Sequence, residues 1–207
     1  MAIVVVGGQT REIGKTSVVA GLIAALPEGR WSAFKITQFG HGVCSASGEP
    51  CDCETADHTV AVSEERERGT GTDSSRYLDA GAVRSFWVRT RMGQLSEAMP
   101  RLRKEFERSE NVIVESNSLL RFLKPDVYLS VLDDSSSDFK ESAKRYLDRA
   151  DALVVDGGVL TGKAWDGVSL SLVKGKPVFA ISGGEYVSAG LVEFVREKLP
   201  SVTHPSR

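Results

Sequence analysis

The sequence lacks any apolar run approaching the roughly 20 residues that span a bilayer, and no basic segment, signal core or cleavage site precedes its first apolar run. It also lacks a marked excess of charge of either sign, because 26 Lys and Arg face 28 Asp and Glu and the formal net charge is −2. No general electrostatic field would therefore attract nucleic acid or an acidic membrane. These absences predict a cytoplasmic protein with neither kind of partner.

Internal repeats and low-complexity segments are also missing. With 207 residues, of which 41% are hydrophobic and 26% charged, the chain is long enough for one large α/β domain, and a second full domain is not expected. We predict a single domain over residues 1–200, with a cysteine-containing insertion loop at about 39–72 and a frayed tail at 201–207.

The most informative pattern is an apolar run at residues 3–6 that stops at two glycines and resumes as an apolar helix after Gly14-Lys15-Thr16. Such a run is typical of a strand buried on both faces. Backbone N–H groups of the loop would then point at an anion, with Lys15 on the terminal phosphates and the Thr16 hydroxyl on Mg²⁺. The alternative is a glycine-rich turn before an ordinary helix. The residues predicted to hold a nucleotide are Gly8, Arg11, Glu12, Ile13, Gly14, Lys15, Thr16 and Ser17.

Five residues separate Gly8 from Gly14, whereas the standard phosphate-binding loop has four between its glycines. Residues 8–16, Gly-Gln-Thr-Arg-Glu-Ile-Gly-Lys-Thr, resemble the first loop of dethiobiotin synthetase, Gly-Thr-Asp-Thr-x-Val-Gly-Lys-Thr, which has the same spacing. The resemblance extends to other P-loop ATPases, including cobyrinic acid amide synthases and the molybdopterin-guanine dinucleotide biosynthesis protein B. It implies a P-loop NTPase fold, a three-layer α/β sandwich whose mostly parallel, twisted sheet has helices on both faces.

A second motif lies at residues 73–82, Asp-Ser-Ser-Arg-Tyr-Leu-Asp-Ala-Gly-Ala. It resembles the segment Lys-Asp-Ser-Tyr-Arg-x-x-x-Ala-Gly-Ala of the molybdopterin-guanine dinucleotide protein. We predict a short helix with Asp73 as its N-cap. Asp73, Ser75 and Arg76 open this helix, where an anionic ligand would be favoured, and ordinary capping is the equal alternative.

Lys35 lies near the end of a strand predicted over residues 31–38. Ligands of doubly wound sheets bind at the carboxyl ends of the strands. Dethiobiotin synthetase has Tyr-Lys-Pro at the matching place and the molybdopterin-guanine dinucleotide protein has Ile-Lys-His, which implies that Lys35 engages the phosphoryl group or a second substrate. Without the resemblance, a solvated edge residue is the alternative.

Glu115 ends a buried strand and is followed by three polar residues at 116–118. A carboxylate at the end of a core strand near the phosphate loop is suited to hold Mg²⁺. Both related families have Val-Glu-Gly here, so Ser116 departs from their pattern. A glutamate that only caps a helix is the alternative for Glu115, and Asp133-Asp134 could add to a metal site or be solvated loop acids.

The remaining pattern alternates strand and helix, which predicts a mostly parallel sheet covered on both faces. Leu95, Met99, Leu102 and Phe106 share one helix face, and Pro100 among them requires a kink or a helix that starts nearby. No Asn-Lys-x-Asp guanine signature occurs, which favours adenine. Further strands are predicted at 126–132, 152–156 and 177–182, and helices at about 55–65, 138–149 and 188–199.

The resemblance implies a Mg²⁺-dependent protein of cofactor biosynthesis that binds and hydrolyses ATP or GTP. Lys15 and the loop amides would stabilise charge on the phosphates, Thr16 and Glu115 would position Mg²⁺, and Arg11 would add a positive charge in cis or across a homodimer. The second partner would be a small molecule. Two alternatives are an ATP-dependent ligase or kinase acting on a small carboxylate, and a non-catalytic accessory protein that delivers a metal or cofactor.

All three cysteines, Cys44, Cys51 and Cys53, lie close together, and His41 and His58 flank them. A disulfide framework is not expected in a reduced cytoplasmic chain. Three thiolates and one imidazole match a tetrahedral zinc site. Unligated thiols, an iron–sulfur cluster and a redox dithiol remain alternatives.

We predict that freshly purified, tag-free protein carries about one zinc ion per chain on this cysteine cluster. Its affinity should fall as the pH drops, because the thiol ligands must be deprotonated. Elemental analysis measures the metal content. Zinc well below one equivalent, together with three freely titrating thiols, would show that the cluster is not a metal site.

Overall fold

The structure is a computed structural model that describes residues 1–39, 60–181 and 183–199. Its strands are β1 (Ile3–Gly8), β2 (Trp31–Phe39), β3 (Val60–Glu65), β4 (Arg84–Arg91), β5 (Asn111–Glu115), β6 (Val127–Leu132), β7 (Ala152–Asp156) and β8 (Val178–Ile181). Its α-helices are α1 (Lys15–Ala25), α2 (Asp73–Asp79), α3 (Leu95–Glu107), α4 (Glu141–Tyr146) and α5 (Ala189–Lys198). Short 3₁₀ turns cover Pro27–Gly29, Ser118–Arg121, Leu147–Arg149 and Leu170–Val173.

The described strands form one sheet in the order β3-β4-β2-β5-β1-β6-β7-β8. β3 pairs with β4 in antiparallel fashion, and the other neighbouring pairs are parallel. Because β5 lies between β1 and β2, Glu115 is in register with Val6 on one side and with Lys35 on the other. The sheet order therefore brings the phosphate loop, Lys35 and Glu115 together at the carboxyl ends of the parallel strands.

Apolar side chains alternate between the two faces of the sheet, as a doubly covered sheet requires. Val4 belongs to a core shared with α1, α2 and α5, whereas Val5 belongs to a second core shared with α3 and α4. In the second core, Phe34 stacks on Phe86 at 4.6 Å and meets the edge of Phe106 at 4.9 Å. Helices on both faces confirm the predicted three-layer α/β architecture. Among the described residues, no helix is both long and apolar enough to cross a bilayer.

Three local predictions are wrong. Residues 60–65 of the predicted helix at 55–65 form edge strand β3, where the Glu64 carboxylate pairs with Arg84 of β4 at 2.8 Å; residues 55–59 lie outside the described part. Thr72, not Asp73, caps α2, because its hydroxyl accepts from the Ser75 N–H. The helix predicted over 138–149 is shorter, since residues 138–140 contact the phosphate loop instead.

Helix α3 begins at Leu95 and contains Pro100, so of the two alternatives for this proline the one in which the helix starts close to it does not apply. The predicted apolar face is buried, whereas Pro100 itself is exposed. Pro100 has no N–H to donate to the carbonyl of Ser96, four residues earlier. The helix is therefore held by its packing against the sheet and lacks one backbone hydrogen bond.

We predict that Pro100→Ala raises the free energy of unfolding by about 1–2 kcal/mol, because alanine restores the missing donor and favours the helix. Urea unfolding measures the change. The neighbouring exposed substitution Arg101→Ala is the control and should stay within about 0.5 kcal/mol. A Pro100→Ala protein no more stable than its parent would show that α3 accommodates proline without loss.

Candidate functional site

The loop between β1 and α1 turns sharply at its last residue, Gly14. Gly14, which immediately precedes α1, has φ 89° and ψ 7°, a left-handed conformation that favours glycine. A side chain there would also meet the Tyr186 ring at 2.6 Å. A Cβ on Gly8 would meet the aliphatic stem of Lys15 at 2.8 Å. The two motif glycines therefore permit the tight turn and the return of the lysine over the loop.

Lys15 lies over this loop, and its ammonium donates to the Thr10 carbonyl at 2.5 Å. Burial lowers the pKa of Lys15 to about 8; the Glu115 carboxylate opposes this shift, and the charges of Lys140 and Lys35 add to it. Among the described residues, no carboxylate forms an ion pair with Lys15. A bound anion would therefore stabilise its charged form.

The carboxylate of Glu115 is the centre of the site and is only 3% exposed. Its Oε2 accepts from the Thr16 hydroxyl at 2.7 Å and from the Tyr77 phenol at 2.5 Å. Its Oε1 accepts from the Lys35 ammonium at 2.5 Å. Burial, followed by the nearby negative charge of Glu115, raises the pKa of Tyr77 well above its usual value, so this phenol remains a donor.

The Lys35 ammonium contacts three oxygens that face the loop. Besides Glu115, it lies 2.9 Å from Oδ2 of Asp73 and 3.2 Å from the Thr16 hydroxyl. Lys35 is on an inner strand, and its side chain is 19% exposed, so it is not a solvated edge residue. Arg76 extends the group by donating to the Ser17 hydroxyl at 2.9 Å.

Other predicted residues lie apart from this centre. Arg11 and Glu12 are exposed on the loop, and Ile13 is partly buried. Asp133 and Asp134 hold turns: Asp133 accepts from Ser135, and Asp134 accepts from the 161–162 backbone. Within the described ranges, no group of three or more His, Cys, Asp or Glu side chains is placed to hold a metal. The predicted zinc ligands lie outside the described residues: His41, Cys44, Cys51, Cys53 and His58.

Sequence analysis missed several polar residues that build the site. The Asn117 amide accepts from the Gly8 N–H at 2.9 Å and donates to the Gly8 carbonyl at 2.8 Å, so it holds the end of β1 as a strand would. Tyr77 was assigned to the second motif without a role. Asn117 follows a strand-end acid, and that position was its only signal in the sequence.

The segment at residues 133–140 contacts the loop through Gln9 and Thr10. The buried Gln9 amide accepts from the Asp133 N–H and donates to the Ser136 carbonyl, each at 2.8 Å. The Lys140 N–H donates to the Gln9 carbonyl at 2.9 Å, and the Thr10 hydroxyl donates to the Asp138 carboxylate. The loop is therefore supported by a segment more than a hundred residues later in the chain.

Two cavities adjoin the site. An open cleft of ≈590 Å³ lies beside α1 and is lined by Ser17, Gly21, Ala25 and residues 184–189. A smaller cavity of ≈190 Å³ has Lys35 in its wall. Its lining consists of hydroxyl groups, one ion pair and an indole ring, contributed by Lys35, Thr37, Thr72, Asp73, Ser74 and Trp87.

The fold is that of a P-loop NTPase. Strand β1 leads through a glycine turn into a helix that starts at Gly-Lys-Thr, and these lie in a mostly parallel sheet whose neighbouring strand, β5, ends in an acidic residue. This is the class implied by the sequence resemblance. It follows from the geometry of this chain.

No protein-family model matches the sequence, and no curated protein matches it. Among solved structures, the chain is similar to HypB from Helicobacter pylori in complex with nickel, at 15% identity over 94% of this chain and 86% of that chain, with a TM-score of 0.46. It is similar to HypB from Archaeoglobus fulgidus at 12% identity over 95% and 89%, with a TM-score of 0.49. It is also similar to MobB from Bacillus subtilis at 16% identity over 97% and 99%, with a TM-score of 0.42.

The lowered pKa of Lys15 predicts a pH-dependent effect on stability. The folded state releases this proton near pH 8, whereas the unfolded state holds it to about pH 10.5, so below pH 8 the charged Lys15 lowers the free energy of unfolding. Lys15→Met should therefore exceed the parent in stability by about 2–3 kcal/mol at neutral pH, and the difference should shrink as the pH rises from about 8 to 10.5.

Urea unfolding of both proteins across this pH range measures that difference. The control is Lys124→Met, because Lys124 is exposed and its substitution should give a difference that stays constant with pH. A constant difference for Lys15→Met as well would show that burial does not disfavour the Lys15 charge.

Proposed function

We propose that this protein binds a Mg²⁺ complex of ATP or GTP at the Lys15 loop and hydrolyses it, as a cytoplasmic protein of cofactor biosynthesis. The observation that carries the proposal is that Lys15, Thr16, Lys35 and Glu115 lie together at the carboxyl ends of the inner strands. The structure supports it because these groups come from three separate elements, α1, β2 and β5.

The loop supplies positive groups where the phosphates would lie. The backbone N–H groups at the start of α1 and the Lys15 ammonium would stabilise charge on the β- and γ-phosphates. Because the Thr10 carbonyl is the only hydrogen-bond acceptor of Lys15 within the described part of the chain, the ammonium can exchange that contact for a phosphate oxygen. Positioning and charge stabilisation account for most of the catalysis in phosphoryl transfer.

The residues around Lys35 fit Mg²⁺. Thr16, Asp73 and Glu115 supply only hydroxyl and carboxylate oxygens, the ligands this ion prefers, and all three already contact one cation, the Lys35 ammonium. When bound, the ion would neutralise charge on the phosphates. Thr16 and Glu115 would hold it, and Lys35 would turn toward the phosphoryl group or a second substrate.

The open cleft beside α1 fits the sugar and base of the nucleotide. It begins at Ser17, directly after the phosphate-binding residues, and Tyr186 presents a half-exposed ring in its wall. An aromatic ring in this place would stack on a purine. The lack of an Asn-Lys-x-Asp sequence favours adenine over guanine.

A second candidate is an ATP-dependent ligase or kinase that acts on a small carboxylate. The cavity of ≈190 Å³ favours it, because this cavity adjoins Lys35 and is large enough for a small acceptor beside the γ-phosphate. Product analysis separates the two functions. Rapid ADP formation only in the presence of a particular small acid would support the ligase or kinase, and ADP formation without an acid would support the hydrolase.

We predict that Glu115→Gln leaves nucleotide binding largely present but removes its dependence on Mg²⁺, because the amide lacks the charge that favours the ion. Calorimetric titrations with and without Mg²⁺ measure this. Glu110→Gln is the control, since Glu110 lies just before the other end of β5 and pairs with Arg30 at the surface. A Glu115→Gln protein that responds to Mg²⁺ as the parent does would show that Glu115 is structural.

A further inference from the structure

Lys140 is a fourth positive group at the phosphate loop, and it belongs to none of the motifs found in the sequence. Its backbone is fixed against the loop by the bond from its N–H to the Gln9 carbonyl, and its own carbonyl accepts from Ala143 and Lys144 at the start of α4. These backbone bonds do not depend on the side chain. The position of Lys140 is therefore set by the fold, and its ammonium is free to serve a ligand.

The Lys140 side chain is partly buried and, within the described residues, has no hydrogen bond or ion pair to its ammonium. The nearby carboxylate of Asp138 instead accepts from the Thr10 hydroxyl. An unpaired ammonium that has lost part of its hydration lowers the stability of the fold, so a functional reason is expected for its presence. Such a cost is typical of binding sites in their ligand-free state.

Charged groups of the site act on the Lys140 ammonium. Burial lowers the pKa of Lys140, and the charges of Arg11 and Lys35 lower it further, while Asp138 and Glu115 act in the opposite direction. Lys140 in turn lowers the pKa of Lys15. Together with the backbone bond from Lys140 to Gln9, these charge effects place Lys140 toward the Lys15, Lys35 and Glu115 end of the site. The cleft beside Ser17 and Gly21 is lined by other residues.

We propose that Lys140 binds the γ-phosphate of the nucleotide and so makes the site selective for triphosphates over diphosphates. The inference rests on the proposed nucleotide binding and adds a recognition group from outside the loop. A γ-phosphate would add negative charge at the Lys15 and Lys35 end of the site, where the charge of Lys140 acts. The base and the α-phosphate lie toward Ser17 and would be unaffected by Lys140.

The test compares the parent with Lys140→Gln, using ADP, GDP and non-hydrolysable analogues of ATP and GTP, each with Mg²⁺, in calorimetric titrations. Removing one charge-assisted phosphate contact should weaken triphosphate binding by about ten- to a hundredfold and diphosphate binding by less than about threefold. Lys140→Arg, which keeps the charge, should recover most of the loss. Lys144→Gln is the matched control, because Lys144 lies on α4, four residues after Lys140, and pairs with Glu141.

The ligand-free proteins provide a second readout. If Lys140 is present for a ligand, Lys140→Gln should raise the melting temperature by about 1–3 °C, because it removes an unpaired cation from among like charges. If Lys140 instead stabilised the ligand-free fold, Lys140→Gln would lower the melting temperature. A parent that binds no nucleotide would refute the proposed function itself. A parent that binds triphosphates with an affinity ratio to diphosphates that Lys140→Gln leaves unchanged would refute only the role of Lys140.

Discussion

Glu115 carries a carboxylate that is 3% exposed, and donors from three separate elements satisfy it. A buried carboxylate is costly unless it is paired and hydrogen-bonded. A buried acid at the end of β5 is therefore stable only when its three donors are in place: Thr16 of α1, Lys35 of β2 and Tyr77 of α2. The residues proposed to bind the ion thus also join the helices to the sheet, and a change at one of them affects folding and binding together.

The second constraint is the set of positive side chains around the loop between β1 and α1. Among the described residues, the partly buried Lys15 has a single carbonyl acceptor, and the partly buried Lys140 ammonium has none. Lys35 is paired with Asp73 and Glu115, and Glu115 is also one of the residues that would hold the metal ion. A polyphosphate with its ion would satisfy all of these groups at once. The unpaired positive groups therefore lower the stability of the ligand-free fold, and a bound polyphosphate would restore it.

Local patterns were sufficient to predict the fold class, the phosphate loop and the strand-end positions of Lys35 and Glu115. Gly14-Lys15-Thr16 after an apolar strand requires no tertiary information, because the turn and the helix start are adjacent in sequence. β3 was mistaken for a helix because an edge strand without a strict alternation gives a weak signal. The sequence predicts Asp73 as the cap of α2, but the preceding Thr72 caps the helix, which leaves Asp73 to pair with Lys35.

The remaining site residues depend on contacts between distant parts of the chain. Asn117 reaches Gly8, and Lys140 reaches Gln9, only after β5 and β6 have paired on either side of β1. No spacing in the sequence encodes such contacts, so the parts of the site contributed by later segments could be found only in the folded chain.

Calorimetric titration of ATP and GTP, with Mg²⁺, into the parent and into Lys15→Ala tests most directly whether this loop binds a nucleotide. We predict saturable binding of one nucleotide per parent chain and no measurable binding to Lys15→Ala, with an unfolding transition that shows the variant to be folded. Equal affinity of the two proteins, or no binding of either nucleotide to the parent, would contradict the assignment of the loop.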